Sequence, residues 1–253
     1  MHTQAHAAQA LTGVPSGGEA VSVTSLSKRY GSLMAVNDVS FSLPVGSVTG
    51  FLGPNGAGKT TTLKLLLALA EPSAGEALIF GRRYRDVDLP TQLVGAVLES
   101  GDFDLGRSGR NHLRVLALAS EVREARVDEM LDVVGLTAAA KQPVGTYSLG
   151  MRQRLGLAGA LLGNPRVLVL DEPANGLDAS GVHWLRRFLR SFAETGGTVL
   201  MSSHDLSEIA QTADRIVIMN RGRIVFNDPI DQLTTGRDSL EEAYLELIEE
   251  SVS

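Results

Sequence analysis

The sequence predicts an α/β fold. Strand-like and helix-like segments alternate from Val21 onward, the order expected of such a core. Val167 to Leu170 is an uninterrupted apolar run, as a parallel strand buried on both faces would be. A helix-rich stretch at about 100–165 interrupts the alternation and reads as an inserted subdomain. The 253 residues are ample for one large core with insertions. A composition of 43% hydrophobic and 21% charged residues is ordinary for a soluble globular protein and excludes overall disorder.

Residues 1–20 are rich in Ala, Gly, Gln and Ser and read as a disordered leader. They lack the basic flank and apolar stretch of a secretory signal. Strands are expected at Val21 to Leu26, Val36 to Leu43 and Ser47 to Leu52, with Pro44 and Gly46 marking the turn between the last two. A Gly-rich loop leads into a helix expected over Thr60 to Leu69. Short strands follow at Glu76 to Phe80 and Val94 to Leu98. The helical stretch offers Arg110 to Ala119, Arg126 to Val134 and Leu149 to Leu162. After strand Val167 to Leu170 come helix Ala179 to Thr195, strand Thr198 to Ser202 and helix Asp205 to Thr212. Strands Arg215 to Met219 and Arg223 to Phe226 end the alternation.

The tail is a further element. Leu240, Ala243, Tyr244, Leu247 and Ile248 recur at the spacing of one helical face. Ser239 with Glu242 forms a capping box before them. The tail also holds the charge. The chain has 23 Lys+Arg and 29 Asp+Glu, a net charge of −6. Six carboxylates follow Arg237 with no compensating cation, so the rest carries 23 of each sign. A surface helix docked by its apolar stripe accounts for this; an acidic helix that binds a partner is the alternative. The mildly acidic balance argues against a nucleic-acid partner. Absence of cysteine excludes disulfides and thiolate metal sites. No apolar run reaches the roughly 18–20 residues of a membrane-spanning helix.

Gly53-Pro54-Asn55-Gly56-Ala57-Gly58-Lys59-Thr60 matches G-x-x-x-x-G-K-[ST], the phosphate-binding loop, between a strand and a helix. Its glycines let successive N–H groups, from Gly53, Asn55, Gly56, Ala57 and Gly58 on to Thr61, converge on one anion. The helix start adds partial positive charge at the same point. Lys59 suits the β- and γ-phosphates, and the Thr60 hydroxyl suits Mg²⁺. A carboxylate on a neighbouring strand should complete the site, and Asp171 at the end of Val167 to Leu170 supplies one, where α/β sheets bind ligands. Asp171 would hold Mg²⁺, directly or through water. Glu172 would polarise the attacking water. Helix capping or a turn is the structural alternative for this acidic pair.

With Tyr147-Ser148-Leu149-Gly150-Met151-Arg152-Gln153-Arg154, Leu170-Asp171-Glu172-Pro173, Asn175-Gly176-Leu177-Asp178 and Ser202-Ser203-His204-Asp205 in this order, residues 21–235 resemble the ATP-binding cassette of an ABC transporter. The resemblance implies a P-loop NTPase (RecA-like) core with an N-terminal antiparallel β subdomain and an inserted α-helical subdomain at about 100–165. Residues 236–253 would form the acidic amphipathic helix. By the same resemblance Tyr30 stacks on adenine, and Ser148 and Gly150 grip the γ-phosphate bound to a second cassette. Asp178 couples the two sites, and His204 contacts the γ-phosphate and attacking water. The plain alternatives are packing for Tyr30, helix capping for Ser148 and Asp178, and a structural role for His204.

Two segments depart from the family pattern. Where LSGGQ is common, the chain reads Tyr147-Ser148-Leu149-Gly150-Met151, with Leu149 at the first glycine. Where a glutamine usually reaches Mg²⁺, the chain has Glu99, whose oxygens can also coordinate the ion. The glutamate and the tail are similar to those of lantibiotic-immunity and drug- or antibiotic-export cassettes. The implied protein is an ATPase using ATP and Mg²⁺. It pairs with a second cassette, identical or not, and drives a separate transmembrane permease from the cytoplasmic side of the membrane. Rival readings are a soluble cassette protein outside transport and a non-hydrolysing partner. One P-loop and an insert of about 65 residues disfavour the first, and retention of Glu172 and His204 disfavours the second.

Overall fold

The computed structural model describes residues 18–98, 103–236 and 239–251. In chain order its strands are β1 (Glu19–Tyr30), β2 (Leu33–Pro44), β3 (Val48–Leu52), β4 (Ala74–Ile79), β5 (Val94–Val97), β6 (Val167–Leu170), β7 (Thr198–Ser202), β8 (Arg215–Asn220) and β9 (Arg223–Pro229). Its helices are α1 (Lys59–Leu66), α2 (Pro90–Leu93), α3 (Gly109–Ala119), α4 (Ala125–Val133), α5 (Leu149–Leu161), α6 (Ala179–Glu194), α7 (Leu206–Thr212), α8 (Ile230–Thr234) and α9 (Leu240–Glu250). The chain divides into two units, one made of Met1–Asp88 with Leu189–Ser253 and one of Leu89–Phe188.

In the first unit β2, β1 and β4 form an antiparallel sheet in that order. Val21 and Val23 are buried at the two-residue period of a strand. Leu26, three residues on, would fall on the other face without a correction. A β-bulge supplies it: the register shifts between Val23↔Phe41 and Leu26↔Val39, with Ser25 at φ 46°. Leu26 is thereby buried too. β1 begins at Glu19, inside the segment read as a leader, because Glu19 pairs with Pro44 and Ala20 is fully buried.

The same unit holds a run of four strands. β3 is fully buried and lies parallel to β7 on one side and β8 on the other, and β9 pairs antiparallel with β8. Arg221 (φ 47°) and Gly222 (φ 80°) make the two-residue turn between β8 and β9, the left-handed pair that suits a twisted hairpin. Asp214 pins the start of β3 by accepting from the Val48 N–H at 2.8 Å, and pairs with Arg190. Phe41 and Phe51, with centroids 5.8 Å apart, join the two sheets. α9 buries Leu240 and Ala243, half-buries Tyr244, Leu247 and Ile248, and is capped by Ser239. Asn220 Nδ2 donates to Ile248 O and Ser251 Oγ near its end.

In the second unit β5 and β6 are parallel, with Val94 opposite Val167 and Val97 opposite Leu170. All four residues of β6 are buried. α3, α4 and α5 pack on one another, and Leu113, Val127, Leu131, Leu155 and Ala158 form their core. α1 stops at Leu66, earlier than expected, because Ala68 turns left-handed at φ 54°. β9 runs past its expected end because Asn227, Asp228 and Pro229 remain paired with β8.

Candidate functional site

The phosphate loop follows directly from buried β3. Gly53 has φ 148°, and a β-carbon there would fall 2.1 Å from Met219 O. Gly58 has φ 110°, and a β-carbon would fall 2.4 Å from Ala35 O. Only glycine serves at both points, so the chain can curl tightly before α1. Ala57 is buried, whereas Pro54, Asn55 and Gly56 are exposed. Ala57 N–H donates to Pro54 O at 3.1 Å, and Ala57 O accepts from Gly222 N–H at 2.9 Å. These bonds tie the loop to itself and to the β8–β9 turn.

Lys59 begins α1 and is 7% exposed. Its Nζ donates to Gly53 O at 2.6 Å and Pro54 O at 3.4 Å. The ammonium is therefore held inside its own loop. No side chain caps α1, and its first turn has no acidic residue, so its N-terminal field suits an external anion. Thr60 and Thr61 are half-buried in that first turn. The neighbouring β7 places Ser202 opposite Phe51. His204 therefore lies two residues beyond a strand end beside the loop, and it is exposed.

After His204, Asp205 caps α7. Its Oδ1 accepts from Ser207 Oγ at 2.7 Å, Ser207 N at 2.8 Å and Glu208 N at 3.3 Å. The Ser207 hydroxyl foremost, then these N–H groups and nearby His204, hold its carboxyl below the usual aspartate range. Tyr30 ends β1 at 49% exposure, and Lys28 Nζ lies 4.8 Å from its ring centroid. Enough of the ring is open for a stacking partner, and the cation beside it favours one that is anionic or π-rich.

The other sequence-predicted residues lie in the second unit. Asp171 follows β6, is 6% exposed, and its N–H donates to Val97 O at 2.7 Å. Glu172 is half-buried with φ 50°, a sparsely populated conformation of the sort that clusters at active sites. Glu99 lies outside the described residues. Ser148 caps α5 through its Oγ, which accepts from Met151 N at 3.2 Å. Gly150 faces Leu177: a β-carbon there would lie 3.2 Å from Leu177 Cδ2. Asp178 Oδ1 accepts from Gly181 N at 2.7 Å and Ser180 Oγ at 2.9 Å, capping α6.

The structure thus groups Gly53, Asn55, Gly56, Ala57, Gly58, Lys59, Thr60 and Thr61 in one loop and helix start. It separately brings Gly150, in the helix that Ser148 caps, against Leu177 next to Asp178. Sequence reading missed three contacts around the segment that contains Asp178: Leu149 on Gly176, Gln153 Nε2 to Asn175 O, and Arg154 over Trp184. Nothing in their spacing announces them. The Asp205 cap was readable, because Asp before an apolar-periodic run is an N-cap signal.

The sequence pattern described as ABC transporter matches residues 36–175. The bacitracin transport ATP-binding protein BcrA of Bacillus licheniformis is 40% identical over 216 residues, 84% of this chain and 71% of the relative. The lantibiotic transport ATP-binding protein SrtF of Streptococcus pyogenes is 36% identical over 222 residues, 88% of this chain and 94% of the relative. Among solved structures, an ATP-binding subunit of an ABC transporter superposes with a TM-score of 0.81 at 29% identity, covering 90% of this chain and 98% of that one. The cassette MJ0796, at 22% identity and a TM-score of 0.75, shares the fold. With its phosphate loop and these relatives together, the chain belongs to the ABC transporter family as an ATP-binding cassette ATPase.

Proposed function

We propose that this cassette hydrolyses ATP to power a membrane permease that exports a peptide or antibiotic. The observation that carries the nucleotide part is the phosphate loop: Lys59 buried and held by Gly53 O, beside a helix start that no side chain caps. A peptide or antibiotic as cargo is supported by BcrA and SrtF, ATP-binding proteins of bacitracin and lantibiotic transport, and export is the direction we propose. No helix among the described residues is long and apolar enough to cross a membrane, so the permease helices would come from elsewhere. Held by that permease, the cassette would work at the cytoplasmic side of the membrane.

Lys59 neutralises the β- and γ-phosphates, and the loop N–H groups bind their oxygens. The Thr60 hydroxyl and Asp171 carboxylate, both hard oxygen donors, would hold Mg²⁺. That ion would offset charge on the phosphates. Glu172 orients and deprotonates the attacking water, with His204 beside the γ-phosphate. Tyr30 stacks on the adenine. Ser148 and Gly150 start a helix whose N-terminal field suits the γ-phosphate held by a second cassette. Asp178 links the two sites.

Glu172→Gln tests this reading. The variant keeps the size of the side chain but removes the base, so ATP binding persists and an ATP-bound dimer accumulates on a sizing column. Lys59→Ala loses ATP binding instead. Wild-type turnover by the Glu172→Gln chain would remove Glu172 from the mechanism.

A further inference from the structure

The first two turns of α5 grip the segment that leaves Glu172. Leu149 lies on Gly176: a β-carbon built at Gly176 would fall 2.1 Å from Leu149 Cδ2 and 2.5 Å from its Cγ. Gly176 also has φ 77°, so the position is closed to other side chains by both its backbone and its neighbour. One turn further, Gln153 Nε2 donates to Asn175 O at 3.3 Å. Arg154 lays its guanidinium over Trp184 of α6, 4.9 Å from the ring. Its charge also helps, after the Gly181 and Ser180 hydrogen bonds, to hold the Asp178 carboxyl ionised. The gripped segment therefore has three fixed points, at Asn175–Gly176, at Asp178 and at the helix beyond.

Its other end is Glu172. The left-handed backbone there, φ 50°, is unfavourable for a residue with a side chain and persists only where its surroundings over-determine it. Two consecutive turns transmit the constraint: Asn175 N–H donates to Glu172 O at 3.1 Å, and Leu177 N–H to Ala174 O at 3.0 Å. Asn175 stands in both arrangements, since its carbonyl is held by Gln153 while its N–H closes the Glu172 turn.

We propose that Leu149, Gln153 and Arg154 are positioning residues for Glu172, holding the strained turn that sets its carboxylate. The leucine that replaces the common glycine is then a working part of the site, paired with Gly176. The inference rests on Glu172 being the base, and the test separates the two ideas.

Steady-state ATPase kinetics of the purified full chain decide it. Leu149→Ala lowers kcat by about fivefold or more, as displacement of a catalytic group does. It leaves the KM for ATP within about twofold, and Leu149→Met restores kcat. Gly176→Ala is more damaging, because its β-carbon meets Leu149. Adding Leu149→Ala to Gly176→Ala recovers part of that loss, so the two effects on kcat are not additive. Additive effects, a kcat within about twofold of wild type for Leu149→Ala, or a lowered Tm with unchanged turnover per folded molecule would each overturn the positioning role. Glu172→Gln serves as the control: if it hydrolyses ATP like the wild type, the base assignment fails first.

Discussion

Asp178 is held ionised chiefly by the Gly181 N–H, then by the Ser180 hydroxyl, with the Arg154 charge adding to both. Its carboxyl is lowered below the ordinary aspartate value, so the cap contributes stability above the unfolded pKa of about 3.9 and loses it as pH falls through the folded value. Asp178→Ala is therefore expected to melt below the wild type at neutral pH. The gap should close on acidification below the ordinary carboxylate range, which melting curves across pH would show. Gly53 is constrained by shape alone. With φ 148° and Met219 O 2.1 Å from where a β-carbon would sit, Gly53→Ala combines backbone strain with overpacking. It should cost about 2–5 kcal/mol in urea unfolding, and ATP affinity should fall with it because Gly53 O holds Lys59.

At the scale of elements, α9 offers a sharp contrast between neighbouring positions. Ala243 is fully buried and Leu245 is 51% exposed. Ala243→Glu would place a charge with no partner under the helix, at a cost of several kcal/mol if α9 stayed docked. The expected outcome is release of α9, seen as rapid trimming of the tail in limited proteolysis. Leu245→Ala should stay within about 0.5 kcal/mol of the wild type. The stripe behind this contrast was legible in the sequence, as were the Ser239 cap and the bounds of β6, because each rests on local pattern. β1 was less so. Its bulge at Ser25 shifts the period that Leu26 would otherwise break, and its start at Glu19 depends on pairing with Pro44. The candidate site divides the same way. The phosphate loop is local and was readable residue by residue, whereas the grip of Leu149 on Gly176 joins two segments whose contact only folding creates.

For the molecule as a whole, the proposed roles make each chain two half-sites. It carries one phosphate loop, Gly53 to Thr60, and one signature, the Tyr147 to Met151 segment that stands where LSGGQ is common. If the γ-phosphate must touch both, and they come from different copies, damage on opposite halves should complement. A Lys59→Ala chain keeps its signature but cannot hold ATP. A Ser148→Arg chain keeps its phosphate loop, but its side chain fills the helix start where a partner's γ-phosphate would bind. Each homodimer would then lack two working sites. A mixed dimer would contain one intact site, made from the phosphate loop of the Ser148→Arg chain and the signature of the Lys59→Ala chain. With equal amounts and random pairing, half of the dimers are mixed and each has one site of two, so activity should return to about a quarter of wild type. ATPase assays of each variant alone and of the mixture measure this directly. A dead mixture whose dimers still form would mean that both halves must work together. Full activity of either variant alone would mean that a chain completes its own site.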